Sequence, residues 1–240
     1  MPFVRLLASA LIWTTVATPV FADVTLRMRM TETGAGGLDR VSDVTVYRKG
    51  LKVRTDMSGP QTTSGSTIED LETGRSLMLW HAGKVADVFD HAQLQAARPK
   101  EDVADVKHSI VRTAESRQIA GETCTVHTFT ALTRTVMRQE SVAFRMEGSA
   151  CLVPDGPGQP DFTSYARAAA KIGSGPDLMS ELHQLGVPYF FEVTMSLGGS
   201  GPTDVLKPFT AQRMEVTSVS TAPIPDSVFE VPADYTARKK

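Results

Sequence analysis

The chain has 240 residues, of which 41% are hydrophobic and 22% are charged, and its formal net charge at pH 7 is −2. The balanced charge, with no basic run longer than the terminal Arg238-Lys239-Lys240, argues against a nucleic-acid-binding surface. Residues 23–240 carry no internal repeat and no long linker, and their number suffices for one substantial core, so we predict a single domain over 23–240.

Met1–Ala22 has the pattern of a secretory signal peptide. Arg5 precedes an apolar run from Leu6 to Val16, and Val20 and Ala22 occupy the −3 and −1 positions that signal peptidase selects. The run is too short to span a bilayer comfortably. We therefore expect cleavage after Ala22 and no stable membrane insertion, with a retained membrane anchor as the alternative.

Residue usage indicates the compartment. The chain contains no asparagine, and arginine clearly outnumbers lysine, as is typical of GC-rich bacterial genomes. Together with the signal peptide, this predicts a periplasmic protein. The two cysteines, Cys124 and Cys151, are both remote from the cleavage site, so no lipid is expected to anchor the N-terminus. In an oxidising compartment they favour one disulfide, and a redox pair is the alternative, although no C-x-x-C is present.

Alternation with period two dominates the chain after residue 23. Val24, Leu26, Met28 and Met30 alternate with polar residues, which predicts an antiparallel strand with one apolar and one wet face. The same criterion, with glycine-containing turns between runs, predicts further strands at 41–48, 51–56, 67–71, 76–81, 84–89, 107–114, 123–130, 141–153, 189–197, 212–220 and 228–231.

Three segments have helical character instead. A short helix is predicted over His91–Ala97, capped by Asp90. A second helix is predicted to begin with Asp161 as its cap, and to carry Phe162, Tyr165, Ala166 and Ala169 on one face. A third opens at Ser174-Gly175-Pro176-Asp177, ends before Gly186, and has the apolar stripe Leu178, Leu182 and Leu185.

The predicted strands and helices together indicate an α+β fold. About ten antiparallel strands form a strongly curved sheet, because an apolar face of that size must curl or be covered. Two or three helices form the cap over it.

Several segments resemble one family. They are Tyr47–Asp56, Ile68–Arg75, Ile119–Cys124, Gly186-Val187-Pro188 and Pro223–Tyr235, the last with the pattern Phe-Glu-Val-Pro-x-x-Tyr. Together they resemble a family of bacterial secreted proteins, a domain of unknown function, related to outer-membrane lipoprotein carriers of the LolA and LolB type. The resemblance implies a half-open antiparallel barrel with helices across its mouth and an apolar cavity that holds acyl chains in the carriers. The long stretch between the two cysteines departs from the carriers.

Catalytic motifs are absent from the sequence. Neither Gly-x-Ser-x-Gly nor His-Glu-x-x-His occurs, so we predict no enzyme, no cofactor and no metal site. A soft Cu(I) site from Met28-x-Met30 and Met78-x-Trp80 is an alternative. It is weakened because His81 alternates to the face opposite Met78 and Trp80.

The apolar face is rich in methionine, which suits a surface that fits irregular apolar cargo. We predict a soluble periplasmic binder of a lipid, an acyl chain or a lipidated partner such as a lipoprotein. The alternatives are an ordinary filled core and, with it, a structural or protein-interaction module of the same fold. The oligomeric state is not predicted. The predicted cavity residues are Leu26, Met28, Met30, Met78, Trp80, Phe144, Met146, Phe191 and Met195.

Overall fold

The structure is a computed structural model and describes residues 23–34, 39–60, 62–97, 105–137, 140–172, 178–199 and 205–239. The predicted signal peptide, with its cleavage site, and the helix-opening segment 174–177 lie outside these residues. Where the chain is described, no helix is long and apolar enough to cross a bilayer.

Twelve strands form one curved, open sheet, which confirms the predicted α+β class and curved sheet with two more strands than expected. The strands are β1 (Val24–Gly34), β2 (Asp39–Lys49), β3 (Lys52–Gly59), β4 (Thr62–Asp70), β5 (Arg75–Trp80), β6 (Val85–Asp90), β7 (Asp105–Ile119), β8 (Glu122–Met137), β9 (Glu140–Val153), β10 (Val187–Gly199), β11 (Lys207–Ser220) and β12 (Thr236–Lys239).

The strand order is β12-β6-β5-β4-β3-β2-β1-β11-β10-β9-β8-β7. Most neighbours are consecutive hairpins and pair antiparallel, as the alternation predicts. Two pairings are not consecutive: β1 pairs antiparallel with β11, and β12 pairs with β6 in parallel. The β1–β11 pairing joins the two halves of the chain into one sheet.

Three helices accompany the sheet: α1 (His91–Ala97), α2 (Gln159–Ile172) and α3 (Leu178–Leu185). Asp90 caps α1 as predicted, because its Oδ1 accepts from the Ala92 N–H at 2.9 Å and the Gln93 N–H at 3.2 Å. Helix α2 begins before Asp161, so this residue lies inside the first turn and the predicted cap position is wrong.

Helices α2 and α3 pack on one face of the sheet, which we call the helix face. In register across four strands, Leu26, Val46, Thr55 and Thr67 belong to this face. Leu178 and Leu182 of α3 are buried against it, as the predicted stripe requires. Leu185 is not, because it is the last residue of α3 and lies 44% exposed beside an open groove that Ile110 also lines.

The C-terminal segment covers the opposite face of β4–β6. Ile224 and Phe229 pack there against Ile68, Leu79 and Ala86. The strand predicted at 228–231 is therefore wrong: residues 226–229 form a 3-10 turn, and a strand forms only at β12.

Side chains rather than a neighbouring strand satisfy two carbonyls of this segment. Arg54 Nη1 donates to the Val228 carbonyl at 2.9 Å, and Lys49 Nζ donates to the Ile224 carbonyl at 3.0 Å. A segment whose carbonyls are satisfied in this way can bury its apolar side chains without joining the ladder.

The predicted disulfide is present. Cys124 on β8 and Cys151 on β9 are bonded, with their Cα atoms 5.3 Å apart. Both cysteines are fully buried in a core cluster that also contains Val24, Phe162 and Tyr189. The bond therefore ties two adjacent strands inside the core.

Candidate functional site

A cavity of about 230 Å³ lies between the helix face and the two covering helices. Its walls are mainly apolar, and both layers contribute to them. The sheet contributes Leu26, Met28, Val46, Val53, Thr55, Phe191 and Met214, and the helices contribute Phe162, Tyr165, Met179 and His183. Pro188, Tyr189 and Phe190 close it at the start of β10, and Arg48 is the charged residue among those that line it.

Three of the nine predicted cavity residues line this cavity: Leu26, Met28 and Phe191. Met146 and Met195 pack in the neighbouring cluster beneath α3, where Phe191 stacks on Phe129 with ring centroids 5.2 Å apart. Phe191 therefore belongs both to the cavity wall and to this cluster.

The other four predicted residues lie elsewhere on the sheet. Met30 is paired in register with Met214 on β11, one step along the strand from the cavity wall. Phe144 contacts Phe209, with ring centroids 6.1 Å apart. Met78 and Trp80 lie on β5, and the Trp80 indole donates to Asp87 Oδ2 at 3.0 Å.

The arrangement does not assemble the Cu(I) site considered as an alternative. Met28 and Met30 on β1 are separated from Met78 and Trp80 on β5 by three strands. Four strand spacings amount to roughly 19 Å, far beyond any coordination sphere. His81 binds Ser66 Oγ at 2.9 Å and the Tyr235 hydroxyl at 2.5 Å instead. Among the described residues, no group of three or more His, Cys, Asp or Glu side chains could hold a metal.

Twelve of the fifteen residues that line the cavity are not among the predicted ones, and Arg48 is the charged residue of the twelve. It is only 4% exposed, although arginine is rarely buried. A signal was present, because Arg48 continues the even-numbered positions of Val44 and Val46 and so falls on the apolar face of β2.

The guanidinium of Arg48 is held by α2. Its Cζ lies 3.9 Å from the ring centroid of Phe162 and 4.5 Å from that of Tyr165. Nη1 donates to the main-chain carbonyl of Asp161 at 3.2 Å. Nε is buried and has no hydrogen-bond partner within the described residues.

Two carboxyl groups lie within electrostatic reach of this guanidinium. Burial lowers the pKa of Arg48 to about 10, and the charges of Asp161 and Glu69 oppose this effect. Burial also raises the pKa of Asp161 and of Glu69, and in each case the charge of Arg48 partly offsets the rise. The Tyr165 hydroxyl donates to Glu69 Oε2. The cluster is therefore a buried cation, a buried acid and a half-buried acid beneath one helix.

His183 and Tyr189 complete the polar part of the wall. Burial lowers the pKa of His183 to about 4, so its ring, 5.8 Å from the Phe162 ring centroid, is neutral at neutral pH. The Tyr189 hydroxyl is buried without a hydrogen-bond partner among the described residues. The wall therefore combines a large apolar area with a few buried polar atoms, the usual composition of a small-molecule site.

No family model matches the chain, and no curated protein sequence matches it. The chain is structurally similar to a LolA superfamily protein from Nitrosomonas europaea, with 6% identity, a TM-score of 0.34, and coverage of 88% of this chain and 91% of that chain. It is also similar to the protein PNGF-II, with 10% identity, a TM-score of 0.36, and coverage of 91% of this chain and 31% of that chain. Neither likeness is close enough to assign a function, so the function is argued from the cavity.

Proposed function

We propose that this protein is a non-catalytic binder of one apolar chain, supplied by a lipid or by a lipidated partner, and that the cavity beneath α2 and α3 holds the chain. The observation that carries the proposal is the apolar cavity of about 230 Å³ lined from both layers. If this proposal is wrong, the alternative is a structural or protein-interaction module of the same fold.

The lining supports an aliphatic ligand. Met28 and Met214 from the sheet and Met179 from α3 all line the cavity. Unbranched thioether side chains adapt to irregular apolar shapes, so these three residues can follow a flexible chain. Each methylene buried there would contribute about 0.8 kcal/mol.

The size of the cavity supports a single chain. Sites for drug-sized ligands occupy about 300–1,000 Å³, and this cavity is smaller. A longer or branched ligand would need α2 and α3 to move away from the sheet. The contacts of Arg48 with Asp161 and of Tyr165 with Glu69 hold α2 in place, so they would set the cost of that movement.

The compartment is part of the proposal. A disulfide persists in oxidising compartments, and the Cys124–Cys151 bond therefore supports secretion. With the predicted cleavage after Ala22, the protein would act in the periplasm, where lipids and lipoproteins pass between membranes.

The test measures binding directly. Native mass spectrometry of protein purified from the periplasm should show a co-purifying lipid mass, and the fluorescent probe N-phenyl-1-naphthylamine should bind and be displaced by decanol. Met214→Trp should weaken probe binding, because the indole is larger than the thioether chain it replaces and narrows the cavity. Val111→Trp adds the same ring at a site that is 58% exposed, and should bind the probe normally.

Two results would overturn the proposal. One is a bare mass together with no probe binding by the unmodified protein, which would favour the structural module. The other is unchanged binding in a folded Met214→Trp variant, which would place the probe outside this cavity.

A further inference from the structure

We propose that Arg48 determines which chains the cavity accepts: it selects an acyl chain that ends in an uncharged carbonyl, as an ester or an amide, over a free carboxylate and over a plain hydrocarbon. The carbonyl oxygen accepts a hydrogen bond from Arg48 Nε. This inference rests on the proposed function, and the experiment below separates the two.

The first step is the unused donor. Arg48 lines the cavity, is 4% exposed, and carries an Nε–H with no partner in the described part of the chain. A buried donor left unsatisfied carries a desolvation cost, which is larger when the donor belongs to a charged group. A ligand oxygen that accepts from Nε removes this cost, so an acceptor on the chain gains affinity that a hydrocarbon cannot gain.

The second step is that the guanidinium is already positioned. Phe162 and Tyr165 contact it through their rings, and Nη1 is held by the Asp161 carbonyl. Cation–π contacts use the face of the guanidinium, and Nε, which is buried and has no partner among the described residues, lies in its plane. The donor therefore has a fixed position, and little side-chain entropy is lost when a ligand accepts from it.

The third step is the charge of the surroundings. The carboxyl groups of Asp161 and Glu69 both act electrostatically on Arg48, and burial disfavours the charged form of each. Arg48 thus already interacts with two acids, and His183, which also lines the cavity, is neutral at neutral pH and adds no positive charge. A ligand carboxylate would add a further buried negative charge, whereas an ester or amide carbonyl adds none.

The experiment compares four ligands of equal chain length at neutral pH by displacement of N-phenyl-1-naphthylamine: methyl decanoate, N-methyldecanamide, decanoate and decane. The ester and the amide should bind about tenfold more tightly than decanoate and decane, since one hydrogen bond to a charged donor contributes roughly 1.4 kcal/mol. Arg48→Met should remove the preference. Arg213→Met is the matched control, because Arg213 also lies over a phenylalanine ring, 5.1 Å from the Phe190 centroid, but does not line this cavity.

Several outcomes would overturn the inference. Tighter binding of decanoate would mean that Arg48 takes an anion. Equal binding of ester and decane, or a preference that remains in Arg48→Met, would mean that Arg48 does not recognise the carbonyl group of the ligand. If the probe binds and these preferences are missing, only this inference fails; if neither probe nor ligand binds, the proposed function fails as well. The ligand series on the unmodified protein decides the matter even if Arg48→Met does not fold.

Discussion

Arg48 Nη1 donates to the main-chain carbonyl of Asp161 at 3.2 Å, and this bond fastens the end of strand β2 to the first turn of helix α2. A second bond, from the Tyr165 hydroxyl to Glu69, fastens the next turn of the same helix to β4. Both cross the boundary of the apolar cavity. Helix α2, which covers the cavity, is thus attached to the sheet by polar bonds at one side, while its apolar residues face the cavity.

Removing the Tyr165 hydroxyl tests the second of these attachments. Tyr165→Phe leaves the half-buried Glu69 carboxyl without its phenol donor, and we expect a loss of about 1–3 kcal/mol in the free energy of unfolding. Denaturant unfolding measures this. The matched control is Tyr189→Phe, which removes a buried hydroxyl that has no partner among the described residues and should cost less than about 1 kcal/mol. An equal loss in both variants would mean that the bond to Glu69 contributes nothing.

His183 predicts a dependence of stability on pH. Its pKa in the folded protein is lowered from 6.5 to about 4 by burial, so below pH 6.5 the unfolded chain takes up a proton that the folded chain does not. The contribution of the neutral His183 ring to the free energy of unfolding is fully present above pH 6.5, and it decreases as the pH falls towards 4. His183→Gln should remove this part of the dependence. The difference between the unfolding free energies of the two proteins, followed over that pH range, measures it, and a difference that does not change with pH would contradict the prediction.

The disulfide should account for a large share of stability. Cys124 and Cys151 are 27 residues apart in sequence, and closing a loop of that length stabilises the folded state by roughly 3–4 kcal/mol in the chain-entropy model. The double variant Cys124→Ala, Cys151→Ala should lose about this amount in urea unfolding. A reducing agent should lower the stability of the unmodified protein similarly and leave the double variant unchanged. If the reducing agent destabilised both equally, its effect would not arise from this bond.

The C-terminal segment should be required for the stability of β4–β6. Phe229 is 9% exposed and packs with Ile68 and Leu79, so Phe229→Ala should cost about 3–5 kcal/mol. Phe209 is 38% exposed, and Phe209→Ala should cost less than about 1 kcal/mol. Thermal and denaturant unfolding compare the two variants. Similar small losses for both would show that the segment does not contribute to the core.

Gly148 should not tolerate a side chain. A Cβ at this position would lie 1.9 Å from the Glu192 carbonyl oxygen and 2.9 Å from Phe129 Cζ, so β9 and β10 would have to separate. We expect Gly148→Ala to destabilise the protein by about 1–3 kcal/mol or more. Gly34→Ala is the control, because a Cβ there has no atom within 4 Å. A Gly148→Ala variant as stable as Gly34→Ala would contradict the pairing of β9 with β10.

Local patterns account for much of the fold. The alternation from Val24 to Met30 predicts β1, and the structure confirms it because one side of that strand is covered by α2 and the other is wet. The cap at Asp90 predicts α1 for an equally local reason. Where the pattern was wrong, at 228–231, three of the four residues are apolar as in a strand, but the Val228 carbonyl accepts from Arg54 of β3 and residues 226–229 form a 3-10 turn.

The candidate site was predictable only in part. Leu26, Met28 and Phe191 line the cavity, since strand alternation places them on the face that the helices cover. Alternation also places Met78 and Trp80 on that face, but not under the helices, because the strand order puts β5 four positions from β1. Strand alternation determines which face of the sheet a residue lies on, and the strand order determines how far across the sheet it lies from the helices.

Four features can be inferred from the amino-acid sequence alone: the alternation of the strands, the cap of α1, the number of cysteines available for a disulfide, and the methionine-rich character of one face. These features depend on residues within a few positions of one another, or on composition. Three others become visible only in the folded protein: β1 pairs with β11, the C-terminal segment covers β4–β6, and Arg48 lies buried under α2 beside the cavity. Each of these joins residues more than a hundred positions apart, or a segment to a face that forms only when the sheet is complete, and no local period encodes such contacts.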